Sequence, residues 1–212
     1  MIAILIMAKA PEAGRVKTRL CPPLTPMQAA CLHEALLLDT LTLVRALPAH
    51  RYLAYSGPRL WFDRHCPEDV CLFEQQGVDL AERLDRAVRF VLSQHRPLLC
   101  IGSDSPHLGS AYLRKAAERL VEHPVVLGPA LDGGYCLVGL NTYQPLFIDM
   151  PMSTDQLLTK TLDRCRALDL SAGLLPMQGD FDTWADVENL RSKLDDGHTL
   201  RLLEVWDTPP KL

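Results

Sequence analysis

The chain has 212 residues, 22 Lys and Arg against 26 Asp and Glu for a formal charge of −4, 48% hydrophobic content, 16 Pro and 12 Gly. That much apolar material excludes a disordered chain, and so few glycines exclude a collagen-like one. Mild acidity argues against a nucleic-acid partner, whose backbone needs a clustered surplus of Lys and Arg, so any positive charge that matters must be local.

Taken in chain order, short apolar runs at Ile2–Met7, Tyr52–Tyr55, Val70–Phe73, Leu98–Ile101, Val125–Leu127 and Cys136–Val138 predict strands buried on both faces. Between them lie amphipathic stretches. Thr25–Leu47 opens with Thr25, Pro26 and Gln28 in capping-box register, and predicts a helix. Asp79–Gln94 starts with Asp79 as cap and Glu82 three residues on, then spaces Leu80, Leu84, Ala87, Val88 and Val91 helically. Gly109–Glu122, Ser153–Leu168 and Trp184–Leu194 read the same way, with Ser153 and Gln156 as a second capping box. The alternation predicts a three-layer α/β/α sandwich on a mostly parallel mixed sheet, with the ligand site at the carboxyl ends of the strands. No repeat or Gly/Ser linker divides the chain, so residues 1–206 read as one domain and 207–212, rich in Pro, as a surface tail.

Seven cysteines, an odd number without C-x-x-C spacing, predict reduced and mostly buried thiols in a cytoplasmic protein. His65, Cys66 and Cys71 are the sole grouping that hints at metal, and they lack a second ligand pair. The run Ile2–Met7 is too short for a membrane span and has no basic residues ahead of it, so neither an anchor nor a signal peptide is expected there.

Four loops can carry chemistry. The first, Lys9 to Leu20, packs Lys9, Arg15, Lys17 and Arg19 around Gly14 with one acid, Glu12. Glycine lets backbone approach an anion, and Lys and Arg supply donors for phosphate oxygens. It is neither a Walker A loop nor G-x-G-x-x-G, and a solvated basic loop without a ligand is the alternative. Gly102-Ser103-Asp104-Ser105-Pro106 places one carboxylate at a strand end, fit for a divalent cation or for capping the helix from Gly109. Asp132-Gly133-Gly134-Tyr135 reads as a hairpin turn that also leaves room for a substrate, with Tyr135 beside it. Asp180 and Asp182 share a side if the backbone is extended, while Thr183 or Asp182 caps the next helix with Asp186 in its first turn.

Together these four segments resemble the GT-A-like nucleotidyltransferase superfamily, the nucleotide-diphospho-sugar transferase fold. Within it they resemble a bacterial family of largely uncharacterised proteins usually labelled glycosyltransferases. More distantly, the first loop and the Asp180–Thr183 segment are similar to those of 2-phospholactate guanylyltransferases, and the overall plan to that of molybdenum-cofactor guanylyltransferases. The resemblance runs from Ile2 to about Leu194. It implies a triphosphate cradle of Gly14, Lys17 and Arg19, within a nucleotide-binding set of Ala8, Lys9, Gly14, Arg15, Lys17, Thr18, Arg19 and Ser103. It further implies Asp104, Asp180 and Asp182 as ligands for Mg²⁺ or Mn²⁺, Lys17, Arg19 and Asp104 as catalytic residues, and Asp132, Gly133, Gly134 and Tyr135 at the acceptor. The chain departs from the family pattern at Ala81, where Asp-Leu-Gly-Glu-Arg is usual, at Cys136, where a second Tyr is usual, and at His107.

The implied activity is nucleotidyl transfer from a nucleoside triphosphate to a small phosphorylated acceptor with release of pyrophosphate. Glycosyl transfer from a sugar nucleotide and nucleotide binding without turnover are the alternatives. A cradle crowded with cations favours the substrate with the third phosphate. Trp61, Phe62 and Phe73 read as core or interface aromatics, Met150 and Met152 as gap-fillers beside the Pro-containing loop Tyr143–Ser153, and His107 is assigned no role.

Overall fold

The computed structural model describes residues 1–206; the tail expected at 207–212 lies outside the described residues. Seven strands form one mixed sheet in the order β3-β2-β1-β4-β6-β5-β7. They are β1 Ile2–Lys9, β2 Ala49–Ser56, β3 Val70–Glu74, β4 Leu98–Gly102, β5 Val125–Pro129, β6 Tyr135–Leu140 and β7 Ala172–Leu174. Only β6 runs antiparallel, against both β4 and β5; β1 is parallel to β2 and β4, as β3 is to β2 and β7 to β5. The sheet therefore presents the carboxyl ends of β1 and β4 side by side, and the first loop and the Asp104 loop leave from adjacent strands.

The helices are α1 Pro26–Arg45, α2 Arg59–His65, α3 Leu80–Gln94, α4 Gly109–Arg119, α5 Leu157–Ala167, α6 Trp184–Leu190 and α7 His198–Val205. Alternation along β1 shows why the central strands read as unbroken apolar runs. Ile4, Ile6 and Ala8 pack with Leu37 and Leu41 of α1 and Leu113 of α4, while Ala3 and Leu5 pack with Val88 and Val91 of α3. Burial on both faces leaves no polar position to mark the period of two. By length and composition α1 is apolar enough to cross a membrane, but it is a core helix, burying Leu36, Leu37 and Leu41 fully or nearly so. A third apolar cluster ties α1 to Leu20 and Leu24 of the first loop and to Phe181, Val187, Leu190 and Leu203. Asp39 of α1 closes that contact by accepting backbone hydrogen bonds from His198 and Thr199, each 2.7 Å, at the start of α7.

Several expectations change. The capping box at Thr25 and Gln28 forms, but the one at Ser153 does not: Ser153 has φ 60°, and α5 begins four residues later with no side-chain cap. Pro151 and the Thr154 hydroxyl, which donates to the Pro151 carbonyl at 2.8 Å, shape a turn there instead. The helix from Trp184 ends at Leu190 and tightens to a 3₁₀ turn over Arg191–Lys193. Burial of the cysteines holds for Cys100, Cys136 and Cys165 only; Cys31 and Cys71 are exposed and Cys21 and Cys66 half-buried. Cys71 lies on the edge strand β3, which no further strand covers. Among the described residues no cluster of three metal-ligating side chains forms, around Cys66 or elsewhere. Of the aromatics, Phe62 is fully buried, and Trp61 and Phe73 partly so.

Candidate active site

A cleft of about 530 Å³ opens over the carboxyl ends of β1 and β4. Its polar wall brings Ala8, Lys9, Arg15, Lys17, Thr18 and Arg19 of the first loop together with Ser103 and Asp104, Asp132, Gly134 and Tyr135, and Asp180 and Asp182. Two of the expected residues lie off this wall. Gly14 sits at an exposed turn with φ 77°, where a side chain would meet open space. Gly133, with φ 86°, presses its Cα against the backbone of Asp155, and its carbonyl accepts from Leu158 N at 3.0 Å. Its glycine is required by that packing.

Lys17 is the centre of the polar wall. Its backbone is left-handed, φ 47° and ψ 37°, a conformation that costs a non-glycine residue on the order of 1–3 kcal/mol. Its side chain is only 7% exposed. The ammonium is ion-paired with Asp104, donates to the Phe181 carbonyl at 2.7 Å and lies 3.9 Å from Asp182. Arg19, 65% exposed, donates to Asp182 at 2.7 Å. Residues from the first tenth and last sixth of the chain thus meet those of the middle. The 3₁₀ turn Thr18–Leu20 anchors this placement, because Leu20 is fully buried against the α1 and α6 cluster.

Asp104 is positioned from below. Gly102 leaves space for its carboxylate, since a Cβ there would lie 2.8 Å from it. The Thr40 hydroxyl of α1 accepts from Ser105 N at 3.2 Å and shares its one proton between the Leu36 carbonyl of its own helix at 2.8 Å and the Ser103 carbonyl at 3.2 Å, clasping the loop on either side. Asp104 does not cap α4. Phe181 alternates inward between Asp180 and Asp182, so that the extended segment turns both carboxylates to the cleft. Thr183 caps α6 through a capping box with Asp186, so the capping and cleft-facing roles coexist in adjacent residues.

Electrostatics separates the carboxylates. Burial alone would raise Asp104, but the Lys17 charge and hydrogen bond outweigh it and hold its carboxyl down at about 2. Asp180 is pushed up to about 7, first by burial and then by the charges of Asp104, Asp132 and Asp182. This is the response of a carboxylate that is buried and, second, crowded by like charges, and a divalent cation would relieve the crowding. The donor set therefore suits Mg²⁺ or Mn²⁺. Among the described residues no three ligating side chains gather closely enough to cage an ion alone.

Two residues that line the cleft and one beneath it escape the sequence reading. His33 of α1 bonds the Lys9 carbonyl through Nε2 at 3.0 Å, and burial lowers its pKa. Gln75 donates to the carbonyls of Ala8 and Ala54 at 3.1 and 2.9 Å, holding the end of β1. Thr40 is the third. His33 and Thr40 fall at positions seven apart on the buried stripe of α1, so a polar residue on an apolar face was the available signal. His107 is also buried, edge-on to Phe181 with ring centroids 5.2 Å apart, and burial lowers its pKa to about 4, keeping it neutral.

Residues 39–154 match the family described as "Uncharacterized protein conserved in bacteria (DUF2064)". The chain belongs to this family. The DUF2064 match contains Asp104 and the Asp132–Tyr135 turn and leaves out the first loop and the Asp180 segment. No functionally curated protein matches the chain. Among solved structures it is similar to a protein of Desulfovibrio desulfuricans G20 provisionally named a nucleotide-diphospho-sugar transferase, 28% identical, covering 99% of this chain and 97% of that one with a TM-score of 0.89. It also shares its fold with a cytidylyltransferase of Leptospira borgpetersenii serovar Hardjo-bovis (14% identity, 99% and 94% coverage, TM-score 0.61). A third similar fold is that of Rv0371C of Mycobacterium tuberculosis H37Rv, solved with manganese (18% identity, 89% and 97% coverage, TM-score 0.50). This DUF2064 protein thus has the nucleotide-diphospho-sugar transferase fold, and two of these neighbours are named as transferases, one of the sugar-nucleotide and one of the nucleotidyl kind.

Proposed function

We propose that the protein transfers a nucleotidyl group from a nucleoside triphosphate to a small phosphorylated acceptor, releasing pyrophosphate, with Mg²⁺ or Mn²⁺ as cofactor. The observation that carries this reading is the meeting of Lys17 and Arg19 with Asp104, Asp180 and Asp182 in one cleft. An ionised acceptor phosphate oxygen forms the new bond to the α-phosphorus as the α–β bridging bond breaks, its electron pair leaving with pyrophosphate. No protein nucleophile and no proton abstraction are required. The demand is for positive charge on the transferred and leaving phosphates, and for alignment. Lys17 and Arg19 supply fixed charge to the leaving pyrophosphate, and Asp104 with Asp180 or Asp182 would hold the cation. When bound, that cation supplies charge neutralisation across the phosphates. Thr40 and His33 hold the two loops in register beneath.

The provisional name of the Desulfovibrio protein favours a second reading, glycosyl transfer from a sugar nucleotide. Both readings are tested by incubating the protein with nucleoside triphosphates and with sugar nucleotides, each with Mg²⁺, Mn²⁺ or chelator, across a panel of phosphorylated acceptors. Nucleotidyl transfer predicts metal-dependent pyrophosphate release from a triphosphate. Release of nucleoside diphosphate from a sugar nucleotide would select the second reading, and nucleotide binding without either product would leave a binding module.

A further inference from the structure

The cleft continues beyond the carboxylates. Its far half passes between the first turns of α3 and α5, over the sheet face those helices cover, and is walled by Met7, Cys100, Val138, Tyr135, Met152 and Leu157. The polar side chains at this end are Gln75, whose amide nitrogen is spent on the Ala8 and Ala54 carbonyls, and Ser153, Thr154 and Tyr135. The Thr154 hydroxyl at the rim already donates to the Pro151 carbonyl. The Tyr135 hydroxyl is buried with no hydrogen-bond partner, beside Thr161, whose own hydroxyl donates to the Leu157 carbonyl at 2.8 Å. A sugar placed here would leave most of its hydroxyls unpaired, and a nucleobase most of its polar edge, both unfavourable once water is excluded. A hydrocarbon or aromatic body loses nothing and gains burial.

We infer that the acceptor is an alkyl or aryl phosphate whose apolar body lodges between α3 and α5 while its phosphate faces Lys17 and Asp104. The inference rests on the nucleotidyl-transfer reading for the role given to that phosphate. Polarity fixes the orientation, since the cleft is lined by Lys, Arg and Asp side chains at one end and is apolar at the other. Tyr135 supplies one donor for a polar atom on the body, and half-buried Met152, unbranched and adaptable, closes the mouth.

The test is calorimetric titration of the full chain with phenyl phosphate and with glucose 1-phosphate, in Mg²⁺ and without nucleotide, repeated on Met152→Gln. Phenyl phosphate is expected to bind at least about tenfold tighter than glucose 1-phosphate, the scale of discrimination an apolar pocket gives. Met152→Gln, with an unchanged melting temperature, should weaken phenyl phosphate and leave triphosphate affinity as it was. Equal or tighter binding of glucose 1-phosphate, or no binding of phenyl phosphate, overturns the inference. So does a loss of triphosphate affinity in well-folded Met152→Gln, which would assign the apolar end to the nucleotide. Failure of the parent reading shows separately, as wild-type protein that binds no nucleoside triphosphate.

Discussion

At the scale of single residues, Lys17 and Asp180 answer the same crowding of charge in opposite ways. Lys17→Ala removes the cation that holds Asp104 at about 2 and that the proposed reaction assigns to the pyrophosphate, so turnover should fall by about 10²–10³-fold, as when a fixed transition-state donor is deleted. Steady-state kinetics on a variant that retains its circular dichroism spectrum checks this; near-normal turnover would remove Lys17 from the mechanism. For Asp180 the sign follows from a folded-state pKa of about 7, above the ordinary value of 3.8. Between those values the folded protein binds the extra proton, so this residue's contribution to stability is complete below about pH 4 and is lost as pH rises to 7. Denaturant unfolding should therefore find Asp180→Asn matching the wild type near pH 4 and exceeding it at pH 8, while metal-dependent turnover falls. Equal stability of the two at pH 8 would show that Asp180 ionises without strain. The charges themselves were legible in the sequence, because four cations in one short loop and a D-x-D segment stand out in any acidic chain. The Lys17 backbone conformation and the ion pair it permits were not, since they depend on Leu20 finding its place under α1.

Elements were legible wherever periodicity and caps agreed. The central strands and α1 follow from apolar runs and a capping box that forms as read. α5 forms within the expected stretch but starts four residues late, because Ser153 and Gln156 satisfy the capping pattern while the preceding Pro151 turn claims those residues. β7, three residues long, and α7, capped from another helix, carry too little local signal. Neighbouring residues on α1 offer a test of how an element divides its labour. Asp39 turns to α7 and Thr40 to the Asp104 loop. Asp39→Ala should cost about 1 kcal/mol, the usual cost of losing a helix cap, lowering the melting temperature by about 2–4 °C at this chain length with turnover intact. Thr40→Val keeps the shape and loses the clasp, so it should cut turnover about 10–100-fold, as supporting-shell losses do, through kcat. Identical kinetic effects of the two changes would mean that α1 acts only as a scaffold.

For the whole molecule, the decisive feature is that sheet order and parallel direction gather four separate loops at one edge. Sequence alternation predicted the architecture but not the order, and the order puts β1 beside β4 and β4 beside β6. The convergence has a thermodynamic signature independent of the acceptor. Unfolding scatters Lys17, Asp104 and Asp182, so a triphosphate that needs all of them binds the native state alone and stabilises it by mass action. At a concentration about 100-fold above its Kd the gain is about 2.7 kcal/mol, which at this size raises the melting temperature by about 5–10 °C. The cation should be required in full, because without it Asp104, Asp180 and Asp182 repel the phosphates. Thermal unfolding with a nucleoside triphosphate should show the shift in Mg²⁺ or Mn²⁺, lose it in excess chelator, and lose it again in Lys17→Ala. A shift of equal size in chelator would assign phosphate binding to the cationic loop alone and take the aspartates out of the site.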